Sequence, residues 1–334
     1  MTGPPLALSL GDPAGVGPEI VAAAWRALRA SGPAFFVVGD ARTLAAAGAP
    51  TSAVTDPGEA AARFAETLPV LDLPLTHAAT PGRPSTEAAP FVVRWIDRAV
   101  SLTLQGKAAG VVTAPIAKAT LYEAGFEYPG HTEFIGALTA ATPMPGARGP
   151  VMMLTAKDLR VALVTIHEPL ASVPGLLTQG RIVRAGQVLA EALVRDFGVA
   201  RPRIVVAGLN PHAGEGGAIG REELTIVAPA VRTLRGLGID VRGPAPADSL
   251  FHEAARSTYD AALCLYHDQA LIPVKMLDFW GGVNLTLGLP IVRTSPDHGT
   301  AFDIAGKGVA RPDSLIAAVR LAGEIAARRA TAPA

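Results

Sequence analysis

The chain has 334 residues, enough for about two domains, each with a substantial core. Twenty-nine basic residues balance 29 acidic ones, so no global field favours nucleic acid or an anionic membrane, and an anionic ligand must be held by local groups. The single cysteine, Cys264, excludes an intramolecular disulfide, no run approaches the roughly 20 apolar residues of a membrane span, and the opening MTGPPLALSLGDPAG lacks the basic region and apolar length of a secretion signal. A soluble cytoplasmic protein is expected.

Apolar runs read as strands at 6–10 (LALSL), 34–38 (AFFVV), 110–114 (GVVTA) and 151–155 (VMMLT). Three more end near histidines: LRVALVTIH at His167, RIVVAGLNPH at His212 and AALCLYH at His267. Between them, 18–30, 87–104, 176–197, 222–237 and 314–329 read as helices. Pro18 and Glu19 suit a first turn, and Gly198 suits a carboxyl-terminal stop. The segment 71–90, rich in Pro, Gly and Thr, reads as an irregular connection. Strands alternating with helices of three or more turns argue for an α/β architecture with a largely parallel sheet. Cys264 lies inside an apolar run and reads as a buried small hydrophobe.

The carboxyl ends of strands in an open α/β sheet form a ligand crevice, so His167, His212 and His267 can converge on one divalent metal ion. A lone histidine after a strand is more often structural; three in equivalent places make the two readings about even. The glycine-rich loop 11–19, GDPAGVGPE, follows a strand and opens a helix, yet it lacks the third glycine of a dinucleotide fingerprint, and Pro18 removes an N–H that a pyrophosphate would use. GHTEF at 130–134 opens a helix, where His131 and Thr132 can meet an anion, although Thr132 as a plain N-cap is the simpler reading. Lys275, Asn284 and Arg293 stand among apolar residues near the carboxyl end. Phosphate or carboxylate of a substrate would pair the cations, and ion pairs with Asp268, Asp278 or Asp297 would do so equally well.

The strings GDPAGVGPE, GHTEF, NPHAGEGGAIGREE, YHDQALIPVK and GVNLTLGLPIVRTSPDHGTAFDIAGKG together resemble the 4-hydroxythreonine-4-phosphate dehydrogenase family of pyridoxal phosphate biosynthesis, in order from about residue 6 to residue 308. The resemblance implies a homodimer with a divalent metal, zinc, cobalt or magnesium, on His167, His212 and His267, with ligands contributed across the dimer interface. It implies substrate contacts at His131, Thr132, Lys275, Asn284 and Arg293. More distantly, GDPAGVGPE and HGTAFDIAGKG resemble the GDGIGPE and HGSAPDIAGK loops of isopropylmalate and isocitrate dehydrogenases. That likeness implies a two-lobed α/β/α fold of their type with a cleft between the lobes, and NAD or NADP contacts around His298, Gly299, Thr300 and Asp303. By analogy, residues 1–130 and 278–334 form the cofactor lobe and 131–277 the metal and dimer lobe.

The implied reaction is oxidation of a secondary alcohol β to a carboxylate, with hydride passing to the nicotinamide, followed by decarboxylation; for 4-phosphooxy-L-threonine this gives 2-amino-3-oxo-4-phosphooxybutanoate and then 3-amino-2-oxopropyl phosphate. Lys275 is the first candidate for proton transfer, and Asp248 and Asp268 are the next. Within the same family, threonate or erythronate 4-phosphates and cis-dihydrodiol dicarboxylates are alternative substrates. A metal-dependent hydrolase or lyase fits the histidines but not HGTAFDIAGKG, and a two-lobed solute-binding protein is disfavoured by the absent signal and the histidine triad.

Overall fold

The computed structural model describes residues 3–331. Its strands are β1 (Leu6–Ser9), β2 (Phe35–Gly39), β3 (Thr51–Ala53), β4 (Leu68–Asp72), β5 (Val111–Thr113), β6 (Val151–Ala156), β7 (Leu159–Leu163), β8 (Arg203–Ala207), β9 (Asp240–Ala245), β10 (Ala261–Cys264), β11 (Val283–Leu287) and β12 (Arg293–Pro296). The helices used below are α1 (Gly17–Leu28), α2 (Ala89–Leu104), α3 (His131–Leu138), α4 (Gln179–Arg195), α5 (Ala228–Gly236), α6 (His267–Leu277) and α7 (Asp313–Thr331).

The chain forms two compact units, one running to Pro143 and resuming over Pro290–Ala330, the other spanning Met144–Leu289. The division falls at 143/144 and 289/290, whereas the sequence suggested 130/131 and 277/278. Helix α3 packs on α2 and so stays with the first unit, and β11 pairs with β6 and so stays with the second. Residues 1–2 and 332–334 of the expected cofactor lobe lie outside the described residues.

In the first unit the strand order is β3-β4-β2-β1-β5-β12, and every pairing is parallel. Strands β1, β2, β5 and β12 are buried along their whole length, because parallel strands are covered on both faces and carry continuous rather than alternating apolar residues. Trp25 of α1 and Trp95 of α2 are fully buried, and each indole N–H finds a backbone carbonyl, of Phe64 at 2.9 Å and of Leu73 at 3.0 Å. Pro18 stands in the first turn of α1 with Glu19, as expected.

The second unit has the order β11-β6-β7-β10-β8-β9, antiparallel from β11 through β7 and parallel from β7 to β9. A core of Leu154, Val161, Leu163, Val205, Ala262 and Cys264 fills one face of this sheet. Cys264 is sealed within it, and burial pushes its thiol pKa up, which makes it an inert packing residue.

Several boundaries differ from the sequence reading. Helix α4 begins at Gln179 rather than at 176, because Thr178 caps it by accepting the Arg181 N–H at 3.2 Å. Gly198 follows α4 with φ +69°, a conformation that costs glycine nothing, and its N–H bonds to Val194. The helix expected over 222–237 opens as a π turn, Glu223–Val227, before α5. Pro229 has no N–H to return to Thr225, so the backbone widens where that bond is missing. The segment 71–90 is not wholly irregular, since β4 reaches Asp72 and a 3₁₀ turn covers Thr86–Ala88.

Gly288 directly follows β11 with φ +71°, and a Cβ there would drive into the Gly149 backbone nitrogen. Gly288→Ala is therefore expected to lower unfolding stability by about 2 kcal/mol, through left-handed strain and a clash that backbone movement must relieve. Urea denaturation checks it; an unchanged midpoint would show that the β6–β11 junction yields freely.

Candidate active site

In the first unit, parallel strands β5 and β12 run side by side and present Thr113 and Arg293. Arg293 is 3% exposed, and its Nη2 donates to Thr113 Oγ1 at 2.7 Å. Burial draws the guanidinium pKa down to about 10, while the Glu133 carboxylate acts in the opposite sense. His131 is the first residue of α3. Its Nε2 is shut off from solvent with no hydrogen-bond partner. Burial, then the charges of Arg293 and Lys118, hold its pKa well below the ordinary imidazole value, so the ring is neutral at pH 7.

Thr132 is buried one residue further along, and it is not the N-cap: Gly130 holds that position, with no side-chain cap bond. The simpler reading of Thr132 thus fails because the helix starts two residues earlier than a threonine cap requires. Lys118 begins a short helix after β5 and lies close to Gly130, where an added Cβ would come within 3.2 Å of its Cε. Lys118 and Thr113 were not singled out from the sequence. Their signal was the run GVVTAPIAK, a buried strand followed by a cation, which acquires meaning only beside Arg293 and His131. The group as a whole is a neutral imidazole, two hydroxyls and two cations with one carboxylate nearby, a composition that suits a phosphate or carboxylate ligand.

The loop 298–308 lies in the same unit. Thr300 C=O accepts the Val16 N–H at 2.9 Å, and a Cβ on Gly15 would meet that oxygen at 2.9 Å, so GDPAGVGPE and HGTAFDIAGKG touch backbone to backbone. Glu19 accepts the N–H groups of Gly306 and Gly308. His298, Gly299 and Asp303 are exposed at this surface, with Thr300 half-buried. A pocket beside it is lined by Pro13, Ala14, Thr80, Arg83 and Ser85.

In the second unit, adjacent parallel strands β7, β10 and β8 end near His167, His267 and His212 respectively. The rings of His167 and His267 stand 5.6 Å apart between centroids. His267 Nδ1 bonds to Asp268 Oδ1 at 2.7 Å, which leaves Nε2 as that ring's remaining ligand atom. His212 opens a run of left-handed residues, with φ of 52° at His212, 50° at Ala213, 79° at Gly214, 43° at Glu215 and 63° at Gly216. Among the described residues, no three His, Cys, Asp or Glu side chains are gathered in position to hold a metal ion. A single chain thus brings two of the imidazoles together and leaves His212 on the neighbouring strand end. Nitrogen donors of this kind suit zinc or cobalt better than magnesium, which prefers oxygen.

Asn284 lies on β11 with its Oδ1 buried and without a hydrogen-bond partner. Lys275, in the last turn of α6, holds its Nζ 5.2 Å from the centre of the Phe279 ring. Asp248 is exposed on a 3₁₀ turn, Ala247–Ser249, that packs against the His212 loop.

The family model described as pyridoxal phosphate biosynthetic protein PdxA matches residues 32–322. The 4-hydroxythreonine-4-phosphate dehydrogenase of Caulobacter vibrioides is 66% identical over 331 residues, covering 98% of this chain and 99% of that one. The enzyme of the same name from Maricaulis maris is 53% identical over 335 residues, covering 98% of each. The crystal structure of a 4-hydroxythreonine-4-phosphate dehydrogenase from Klebsiella pneumoniae is 40% identical and superposes with a TM-score of 0.83, over 97% of this chain and 99% of that one. With the match running through both units, this chain belongs to the PdxA family of pyridoxal phosphate biosynthetic proteins.

Proposed function

We propose that the chain oxidises 4-phosphooxy-L-threonine at its secondary alcohol, with NAD or NADP as acceptor, and releases 3-amino-2-oxopropyl phosphate after decarboxylation. The observation that carries this reading is the buried Arg293 beside a neutral His131. A buried guanidinium flanked by neutral hydrogen-bonding groups and a second cation has the composition of an anion site. A phosphorylated hydroxy acid brings such an anion.

Arg293 offers a planar fork, Lys118 a point charge, and Thr132 and His131 neutral hydrogen bonds, which together orient a tetrahedral anion. Keeping His131 neutral matters, because a third cation would add repulsion among the ligand's own partners. Asn284 Oδ1 is a buried acceptor, so it takes a donor from the substrate, a hydroxyl or an ammonium hydrogen. Lys275 is the candidate for moving the alcohol proton, with Asp248 as the alternative.

His167, His212 and His267 would hold the metal, which when bound supplies Lewis-acid polarisation of substrate oxygens for both the oxidation and the decarboxylation. Three neutral imidazoles leave the dication's charge undiminished. His298, Gly299, Thr300 and Asp303 would face the nicotinamide cofactor, which takes the hydride. A second copy of the chain completes the ligand set in this reading. Its contact face includes Ile272 and Met276 of α6 with Phe279 and Trp280 beyond it, of which Met276 is 86% exposed. The cytoplasm, where thiols stay reduced, suits the unpaired Cys264.

Metal-stripped protein supplied with NAD and 4-phosphooxy-L-threonine is expected to form NADH only after zinc or cobalt is restored, and faster than with threonate 4-phosphate. Turnover with the threonate alone would keep the mechanism and change the substrate; none with either would sink the assignment. Arg293→Met is expected to lower kcat/KM by about a hundredfold or more, the loss of a charged contact to a buried anion. Lys275→Met is expected to lower kcat at saturating substrate; a rise in KM with kcat intact would make Lys275 an anion contact instead. Paired Met276→Glu and Trp280→Glu changes are expected to shift a dimer to monomer in analytical ultracentrifugation, and an unchanged sedimentation coefficient would place the interface elsewhere.

A further inference from the structure

We propose that Gln269, acting with Thr165 and Glu223, is a positioning residue that holds the histidine-bearing strand ends of each chain in place and so governs the affinity and geometry of the metal site that two copies complete. The inference rests on the histidine–metal reading above and adds residues that touch no ligand. Gln269 lies two residues beyond His267, and its side chain is buried. Its Oε1 accepts the Leu265 N–H at 2.7 Å, and its Nε2 donates to the Gly208 C=O at 2.7 Å. Leu265 directly follows β10, and Gly208 directly follows β8. Thr165, two residues before His167, donates its hydroxyl to the Leu265 C=O at 2.7 Å and so ties in the end of β7.

From Gly208 the connection continues to Glu223, which is 2% exposed. Its Oε1 accepts the N–H groups of Leu209 and Asn210 at 2.8 and 2.7 Å, and its Oε2 accepts from Asn210 Nδ2 at 2.9 Å. A Cβ on Gly214 would meet Glu223 Oε2 at 2.6 Å, so the carboxylate also packs against the left-handed loop that carries His212. One run of buried polar contacts thus crosses β7, β10 and β8, neighbours in the sheet, at the level where each gives rise to a histidine.

The side-chain chemistry is specific. Beyond the strand ends the chains diverge and backbone pairing stops, leaving an N–H on β10 and a C=O on β8 that need partners. A primary amide satisfies both at once. A carboxylate of the same size can accept from Leu265 but sets a negative oxygen against the Gly208 carbonyl. Gln269→Glu therefore opposes one of the two bonds at nearly constant volume, and Thr165→Val removes the third at constant shape.

The test uses full-length protein stripped of metal and titrated with cobalt(II). Visible absorption reports coordination geometry, and competition with a chelator reports affinity. Thr103→Val serves as control, because it removes a buried hydroxyl bond to the Ala99 C=O in the other unit. Gln269→Glu is expected to bind cobalt tenfold to a hundredfold more weakly, with an altered band, as is typical when residues that orient metal ligands are changed. Thr165→Val is expected to fall between it and the wild type, and Thr103→Val to lower the melting midpoint without moving either readout. Wild-type affinity and spectrum in both site variants would overturn the proposal; if Gln269→Glu does not fold, Thr165→Val decides. A wild-type protein that binds no cobalt would overturn the histidine–metal reading itself, a distinct result that removes this inference with it.

Discussion

Parallel strands buried on both faces must shed their backbone polarity at their ends, and much of this molecule's architecture is a response to that constraint. Where pairing stops, an N–H or C=O in an apolar setting costs about 1–3 kcal/mol unless something bonds to it. The chain answers with side chains from the connecting loops. After β2, Asp40 accepts the N–H groups of Thr43 and Leu75. After β1, the buried Asp12 accepts that of Ala14, and burial raises its pKa. After β8 and β10, Glu223 and Gln269 do the same work. The groups that satisfy the backbone also choose the path of each loop, and the loops carry the polar residues on which function is proposed.

Electrostatics in the first unit follow from the same burial. Arg293 is drawn in by its place on β12, a strand with no exposed residue, so its charge is set where water cannot screen it. The neighbouring imidazole gives up its proton, first because it is itself buried and then because two cations lie within reach. The result is a site whose charge is supplied by guanidinium and ammonium and whose hydrogen bonding is supplied by neutral groups. Such a division keeps the charge of the site steady through the pH range in which free histidine titrates.

Much of the fold was legible because most strands are continuous apolar runs between helical stretches. Strands β3, β4, β9, β11 and β12 were not read, for identifiable reasons. β12 reads RTSP and is buried by its neighbours rather than by its own apolarity. β9 carries Gly243 and Pro244, and β4 carries Pro69, residues that argue against a strand when the ladder is not known. The histidines were legible by their places after strands, and GHTEF by its place before a helix. Lys118 was not, since nothing in its local sequence shows that it faces His131 and Arg293. Gln269 and Glu223 were hidden for a similar reason: most of their partners are backbone groups, the Leu265 N–H and Gly208 C=O for one and the Leu209 and Asn210 N–H for the other, and backbone groups leave no mark on sequence.

The left-handed turn at His212 shows how these threads meet. Residues other than glycine cost roughly 1–2 kcal/mol each in that conformation, and His212, Ala213 and Glu215 all adopt it. Glycines at 214 and 216 relieve two of the five positions, and a side chain at 214 would collide with Glu223. The remaining strain is held by the bonds that Glu223 makes to Leu209 and Asn210 at the entrance to the turn. A relaxed right-handed path would send the chain in another direction after Asn210 and carry His212 away from the end of β8. The strained path keeps His212 at the end of β8, the strand that lies next to β10 in the sheet.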